Sequence, residues 1–279
     1  MNNKHVFVVA ELGINGNGNL TQTKQMIKSA KECGADAVKL QKRIIEETYT
    51  EEFLNSPRIS PWGTTQKAQK EGLEYSTEDF LEIDSYCKEL GIKWSASAWS
   101  ENAFLFLKQF DLSFHKIASA LIINKNLLNL VAEEGKQTYI STGMVESWEE
   151  IDKAVEIFRK HNCPFSLMHT VSCYPMDNHL ANLLMINTLK ERYGCAVGYS
   201  CHSKGRIVPL VAVGMGIDSL EKHVTLDKTM YGSDQAASLE MEDFRKLIID
   251  VRAIEEALGT GERILSEEEL AVRKKLRGN

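Results

Sequence analysis

Eight short β-rich runs recur along the chain, each followed by a longer segment of helical period, and this alternation limits the fold more than any other feature. The runs lie at 5–13, 36–42, 93–99, 114–119, 137–143, 165–171, 196–202 and 219–226. In the first interval, LTQTKQMIKSAKECG sets Met26, Ile27, Ala30 and Cys33 on one face, and Gly34 ends the helix. STEDFLEIDSYCKELG opens on Ser76 as N-cap, with Glu78 and Asp79 in the first turn. Eight such units over about 250 residues predict an α/β chain folded as one (β/α)8 TIM barrel across 1–260, with 261–279 as a tail. A doubly wound sheet is the alternative, but GINGNG after the first strand does not fit G-x-G-x-x-G. Residues 43–75, with Pro57, Pro61, Trp62 and Gly63, read as one long irregular connection. It leaves the C-terminal end of the second strand and so should overhang the barrel mouth.

Composition removes several functions. With 43 % apolar and 26 % charged residues, the 279-residue chain has ample material for a soluble core. Its formal net charge is -6 and it has no basic tract, which argues against nucleic-acid binding. No apolar run approaches the roughly 18 residues of a membrane span. The opening MNNKHVFVVAELG runs directly into Glu11 and reads as a strand, not a signal peptide. Cys33, Cys87, Cys163, Cys173, Cys195 and Cys201 are scattered without a paired motif, as expected for reduced thiols in the cytoplasm.

Polar residues gather where the strands end. The first strand ends in Glu11, the second carries Lys39 and Gln41, and the third Ser95 and Ser97. Lys116 and Ser119, Ser141 and Thr142, then His169, Thr170 and Ser172 follow on the next three. The last two offer Ser200 with His202 and Glu221 with His223. Residues two apart share a strand face, so Lys39 projects with Gln41 and Ser200 with His202, while Cys201 points away. A lysine in an apolar strand costs several kcal/mol if unpaired, so Lys39 and Lys116 call for an anion. Two lysines, a ring of hydroxyls and two histidines describe a phosphate or carboxylate site beside a metal. Taken alone, His202 and His223 read equally well as core residues or as ligands, and His169 reads as core.

The order of motifs resembles the sialic acid synthase (N-acetylneuraminate synthase) family from about residue 5 to about residue 275. VVAELGINGNGNL is similar to that family's AE-G-NHNG, GADAVKLQKR to GAD-VK-Q, and ISTGM to STGM. HTVSCYP resembles C-S-YP, GYSCHS resembles GYSDHT, and EKHVTLDKTMYGSDQAASLE resembles EKH-TLD----GPDH--SLE. The resemblance implies an enzyme that condenses phosphoenolpyruvate with an aldose, N-acetylmannosamine-like or its phosphate, for surface polysaccharide synthesis. It implies a divalent cation on His202 and His223, typically manganese, with magnesium or cobalt as alternatives. Phosphoenolpyruvate falls to Lys39, Ser97, Lys116, Ser119, Ser141 and Ser200, and the sugar to Asn15, Gln41, Tyr174 and Asp234. Glu11, Lys39 and Asp234 take the catalytic positions, Glu11 as general acid/base. The alternatives are a metal-dependent pyruvate aldolase or lyase, and an inactive sugar-binding paralogue.

Three positions depart from the pattern. Gly16 stands where the histidine of NHNG is expected, Leu121 where an acid follows the fourth-strand serine, and Cys201 where an aspartate precedes the first histidine. The family also continues into an antifreeze-like (SAF) domain, which lends an arginine to a partner's site in a homodimer. Here the sequence runs out at Asn279, so the expectation is that the sugar loses that arginine or that a separate SAF polypeptide supplies it, with the 43–75 segment taking over some of the covering.

Overall fold

A computed structural model describes residues 5–277. Residues 1–4 of the opening run and 278–279 of the expected tail lie outside the described residues. The barrel strands are β1 (Phe7–Gly13), β2 (Ala37–Lys42), β3 (Lys93–Ala98), β4 (His115–Ile117), β5 (Thr138–Ser141), β6 (Phe165–Thr170), β7 (Ala196–Cys201) and β8 (Ser219–Thr225). They form one parallel sheet in circular order, β3-β2-β1-β8-β7-β6-β5-β4. At the seam between β3 and β4 there is no ladder; Ser95 Oγ donates instead to the Phe114 carbonyl at 2.6 Å. The TIM-barrel expectation therefore holds, with the ring nearly closed.

Helices fill the intervals. Leu20–Cys33 buries Met26, Ile27, Ala30 and Cys33 and ends on left-handed Gly34, as the spacing predicts. Thr77–Leu90 begins with a reciprocal capping box between Ser76 and Asp79. The main core lies between the sheet and its helices. A second, smaller cluster plugs the barrel itself, where Val9, Ala37, Phe114, Tyr139 and Met168 pack with Phe7. Val9 pairs with Ala37, and two residues further on Glu11 pairs with Lys39, so one inward face changes from apolar to charged along the strands. That change sets the floor of the site.

The 43–75 segment is not irregular, and here the structure corrects the sequence expectation. It folds as short helices Ile45–Thr48 and Glu51–Asn55, a hairpin of Pro57–Ser60 with Gly63–Thr65, and a helix Gln66–Leu73. Thr50 and Thr65 cap two of these helices through their hydroxyls. Elements this short fall below the window in which hydrophobic period can be read. The fourth strand is also shorter than expected, because Ser119–Leu121 forms a 3-10 turn. In the expected tail, Glu267–Arg277 is helical with no buried residue among those described. No described helix is long and apolar enough to cross a membrane.

Candidate active site

A cleft opens at the C-terminal ends of the strands, lined by residues of all eight barrel units, from Glu11 on β1 to His223 on β8. Strand register explains the convergence. Glu11 is level with both Lys39 and His223, Gln41 with Ser97, and Glu221 with Ser200, which is level with Thr170.

The floor is a network of four charges. Lys39 Nζ lies 2.7 Å from Glu11 Oε2 and 2.9 Å from Ser97 Oγ, and 3.8 Å from Glu221 Oε2. Lys116 Nζ lies 3.0 Å from each oxygen of Glu221, and Ser200 Oγ donates to Glu221 Oε1 at 3.1 Å. All four charged side chains are buried. Burial alone would raise the Glu221 pKa, but Lys116 and Lys39 outweigh it and bring the carboxyl down to about 2. Burial lowers the Lys116 pKa, with Lys39 repelling and Glu221 opposing the change. Burial would also lower the Lys39 pKa, yet Glu11 and Glu221 together raise it. Two carboxylates thus balance two ammonium groups until a substrate anion competes for them.

Serine hydroxyls ring this floor. Ser119, Ser141, Ser172 and Ser200 all line the cleft. A Cβ on Gly143 would lie 2.7 Å from both Ser119 Oγ and Ser172 Oγ, so only glycine lets these hydroxyls approach each other there.

The histidines stand at the opposite wall. The rings of His202 and His223 are 5.5 Å apart, and Tyr174 lies 4.0 Å from the first and 5.7 Å from the second. Burial, then the neighbouring His223, brings the His202 pKa down to about 3, which keeps it neutral. Its Nδ1 donates to the Val171 carbonyl at 2.7 Å, leaving Nε2 with a lone pair. His223 Nδ1 is buried without a hydrogen-bond partner. An imidazole nitrogen without a hydrogen-bond partner beside the neutral His202 suits a borderline divalent cation. Among the described residues no group of three or more His, Cys, Asp or Glu side chains is placed to bind a metal.

The expected sugar residues divide. Gln41 and Tyr174 line the cleft, with Gln41 donating to Glu11 Oε1 at 2.9 Å. Asp234 sits at the rim, 3.8 Å from His223 Nδ1. Asn15 is not on the wall: it is fully buried and donates to Val224 O and Ser238 Oγ, fixing the loop that carries Asp234. Glu221 is the centre that sequence reasoning left without a role, although its position two residues before His223 was a usable signal.

The departures acquire local explanations. A side chain at Gly16 would occupy the space of the hydrogen-bonded Thr23 and Tyr75 hydroxyls. Leu121 packs against the main core, and Ala120 lines the cleft nearby. Cys201 faces outward as expected, with Sγ 3.2 Å from Ser203 Oγ and 3.8 Å from Lys222 Nζ. His169 is a core residue as read, its Nε2 donating to the Ala181 carbonyl at 2.8 Å.

Known proteins resemble this chain in sequence and in fold. The NeuB family profile matches residues 26–263. N-acetylneuraminate-9-phosphate synthase of Mus musculus is 36 % identical over 97 % of this chain and 76 % of its own length. Pseudaminic acid synthase of Campylobacter jejuni is 36 % identical over 96 % of this chain and 79 % of its own. The crystal structure of N-acetylneuraminic acid (sialic acid) synthetase from Leptospira borgpetersenii in complex with citrate superposes with a TM-score of 0.87 at 34 % identity. That superposition covers 99 % of this chain and 94 % of the other.

Proposed function

The chain belongs to the NeuB family, and from that premise we propose that it condenses phosphoenolpyruvate with an N-acetylmannosamine-like aldose or its phosphate. The products are a sialic-acid-like 3-deoxy-2-ulosonic acid and inorganic phosphate, destined for surface polysaccharide. One observation carries this reading: Lys39 and Lys116 lie buried in a hydroxyl ring, with His202 and His223 on the same cleft.

In this reading the lysines and the hydroxyls of Ser97, Ser119, Ser141 and Ser200 hold the donor's phosphate and carboxylate. Gln41, Tyr174 and Asp234 orient the aldose so that its aldehyde carbon meets C3 of the donor. A carbon–carbon bond forms there, water adds to the electron-poor C2, and C–O cleavage expels phosphate. Glu11 moves the protons that this requires, with Lys39 Nζ 2.7 Å from its Oε2. A divalent cation, manganese by preference, fits His202 and His223 and when bound supplies Lewis-acid polarisation of the acceptor carbonyl. We assign the enzyme to the cytoplasm, an assignment supported by six free thiols.

The test is inorganic phosphate release when the protein receives phosphoenolpyruvate, manganese and a panel of aldoses. An aldolase acting on pyruvate releases none, so silence with every acceptor would overturn the proposal.

A further inference from the structure

β8 sends alternate side chains to its two faces, and only one face belongs to the cleft. Glu221 and His223 line the cleft, while Lys222 between them points away from it and is fully buried. An ammonium there needs an acceptor for each of its three protons, because burial removes the water that would otherwise take them. Two are met by backbone: Nζ donates to the Ser203 carbonyl and, at 3.0 Å, to the Ala237 carbonyl. The third contact is the thiol of Cys201, 3.8 Å away, and a thiol is a weak acceptor. Among the described residues no carboxylate joins these contacts, and Lys222 takes no part in the chemistry proposed above.

The two carbonyls belong to the loops that shape the histidine side of the cleft. Ser203 follows His202, whose own carbonyl accepts from the Met176 N–H at 3.0 Å. Ala237 closes the 3-10 turn Gln235–Ala237, which starts from Asp234. The Asp234 carboxylate lies 3.8 Å from His223 Nδ1. One buried nitrogen, next in sequence to His223, thus holds both the loop beyond His202 and the loop bearing Asp234. The spacing of His202, His223 and Asp234 along the wall is therefore set from behind the sheet.

We infer that Lys222 is a positioning residue for the metal and aldose side of the site, and that Cys201 leaves its tie one acceptor short. Cys201 is level with Lys222 across the β7–β8 ladder, and the two side chains leave the sheet on the same face. An oxygen acceptor at position 201, one of the three departures from the family pattern, would face Nζ and complete its bonds. The inference rests on the synthase reading for the roles of His202, His223 and Asp234, and it specifies what holds them in place.

The test reads two quantities in the full chain: manganese affinity, from the spin signal of the free ion, and amide hydrogen exchange of residues 203–205 and 235–238. K222M, which keeps the bulk and removes the donors, should weaken manganese binding by about tenfold or more and speed exchange in both segments. It should also raise KM for the aldose and leave KM for phosphoenolpyruvate unchanged, since Lys39 and Lys116 stand inside the barrel; a general loss of structure would move both. C201D and C201N each supply the missing acceptor, one with a charge and one without. Both should slow exchange in the two segments and tighten manganese binding severalfold. Folded K222M with wild-type manganese affinity overturns the inference, as does either readout left unmoved by both Cys201 variants. Tightening by C201D without C201N is a field effect of the added charge and also overturns it. Should K222M fail to fold, the Cys201 variants decide alone. A wild type that turns over no aldose overturns the synthase reading, whereas the exchange readout, which needs neither substrate nor metal, still judges the tie.

Discussion

Lys116 on β4 and Glu221 on β8 span the barrel interior and meet with Nζ 3.0 Å from both carboxylate oxygens, although 105 residues separate them in the chain. These strands are diametrically opposed in the ring, so the pair is also a tie across it.

Removing one partner of such a pair strands a buried charge. Lys116→Met should lower stability by about 3–5 kcal/mol, and K116M/E221Q should recover a large part of that loss. Urea denaturation of the single and double variants measures the coupling. Additive losses would mean that the two groups act independently. Phosphate release should be abolished in both variants, since Lys116 is also a donor contact in our reading.

Gly143 leaves room for two hydroxyls and no more. A methyl group there meets Ser119 Oγ and Ser172 Oγ at 2.7 Å and Thr170 Cγ2 at 2.9 Å. Gly143→Ala should cost about 1–3 kcal/mol and raise KM for phosphoenolpyruvate more than KM for the sugar. Steady-state kinetics with each substrate varied in turn separates the two effects.

The metal assignment is open to a direct measurement. His202→Ala or His223→Ala should weaken manganese binding by at least about tenfold, read by titration of the spin signal of free manganese. Phosphoenolpyruvate binding in the absence of metal should survive in both, because Lys39 and Lys116 remain. Undiminished manganese binding in both variants would place the ion elsewhere.

Two buried histidines away from the cleft set part of the acid stability. Burial lowers the pKa of His169, against its hydrogen bond to Ala181, and of His115, against Glu134, from the ordinary 6.5. The unfolded chain then binds protons that the folded one refuses, so stability falls as pH drops below 6.5 and is complete above it. The slope should approach about 1.4 kcal/mol per pH unit for each histidine. Denaturant midpoints of His115→Gln and His169→Gln across pH 7 to 5 should be flatter than those of the wild type.

Most of the site was legible residue by residue. The period-2 alternation told which strand positions faced inward, and Lys39, Lys116, Ser97, Ser200, His202 and His223 all stand in the cleft. What was lost was partnership. Asn15 shares a motif with Glu11 yet serves as a tie to the loop bearing Asp234, because the turn after β1 carries it off the wall. The 43–75 segment gave no periodic signal because its elements run from three to eight residues, and its stability comes from docking and not from its own pattern.

By itself the sequence determined the barrel, the order of its strands and the chemical character of each strand end, since these follow from local period and residue type. The tertiary structure alone decided that Glu221 meets both lysines and that, among the described residues, His223 Nδ1 is left without a hydrogen-bond partner. The physical reason is that register and ring closure fix distances between residues far apart in the chain, and a pattern confined to neighbouring residues carries a side chain's face but not what stands opposite it.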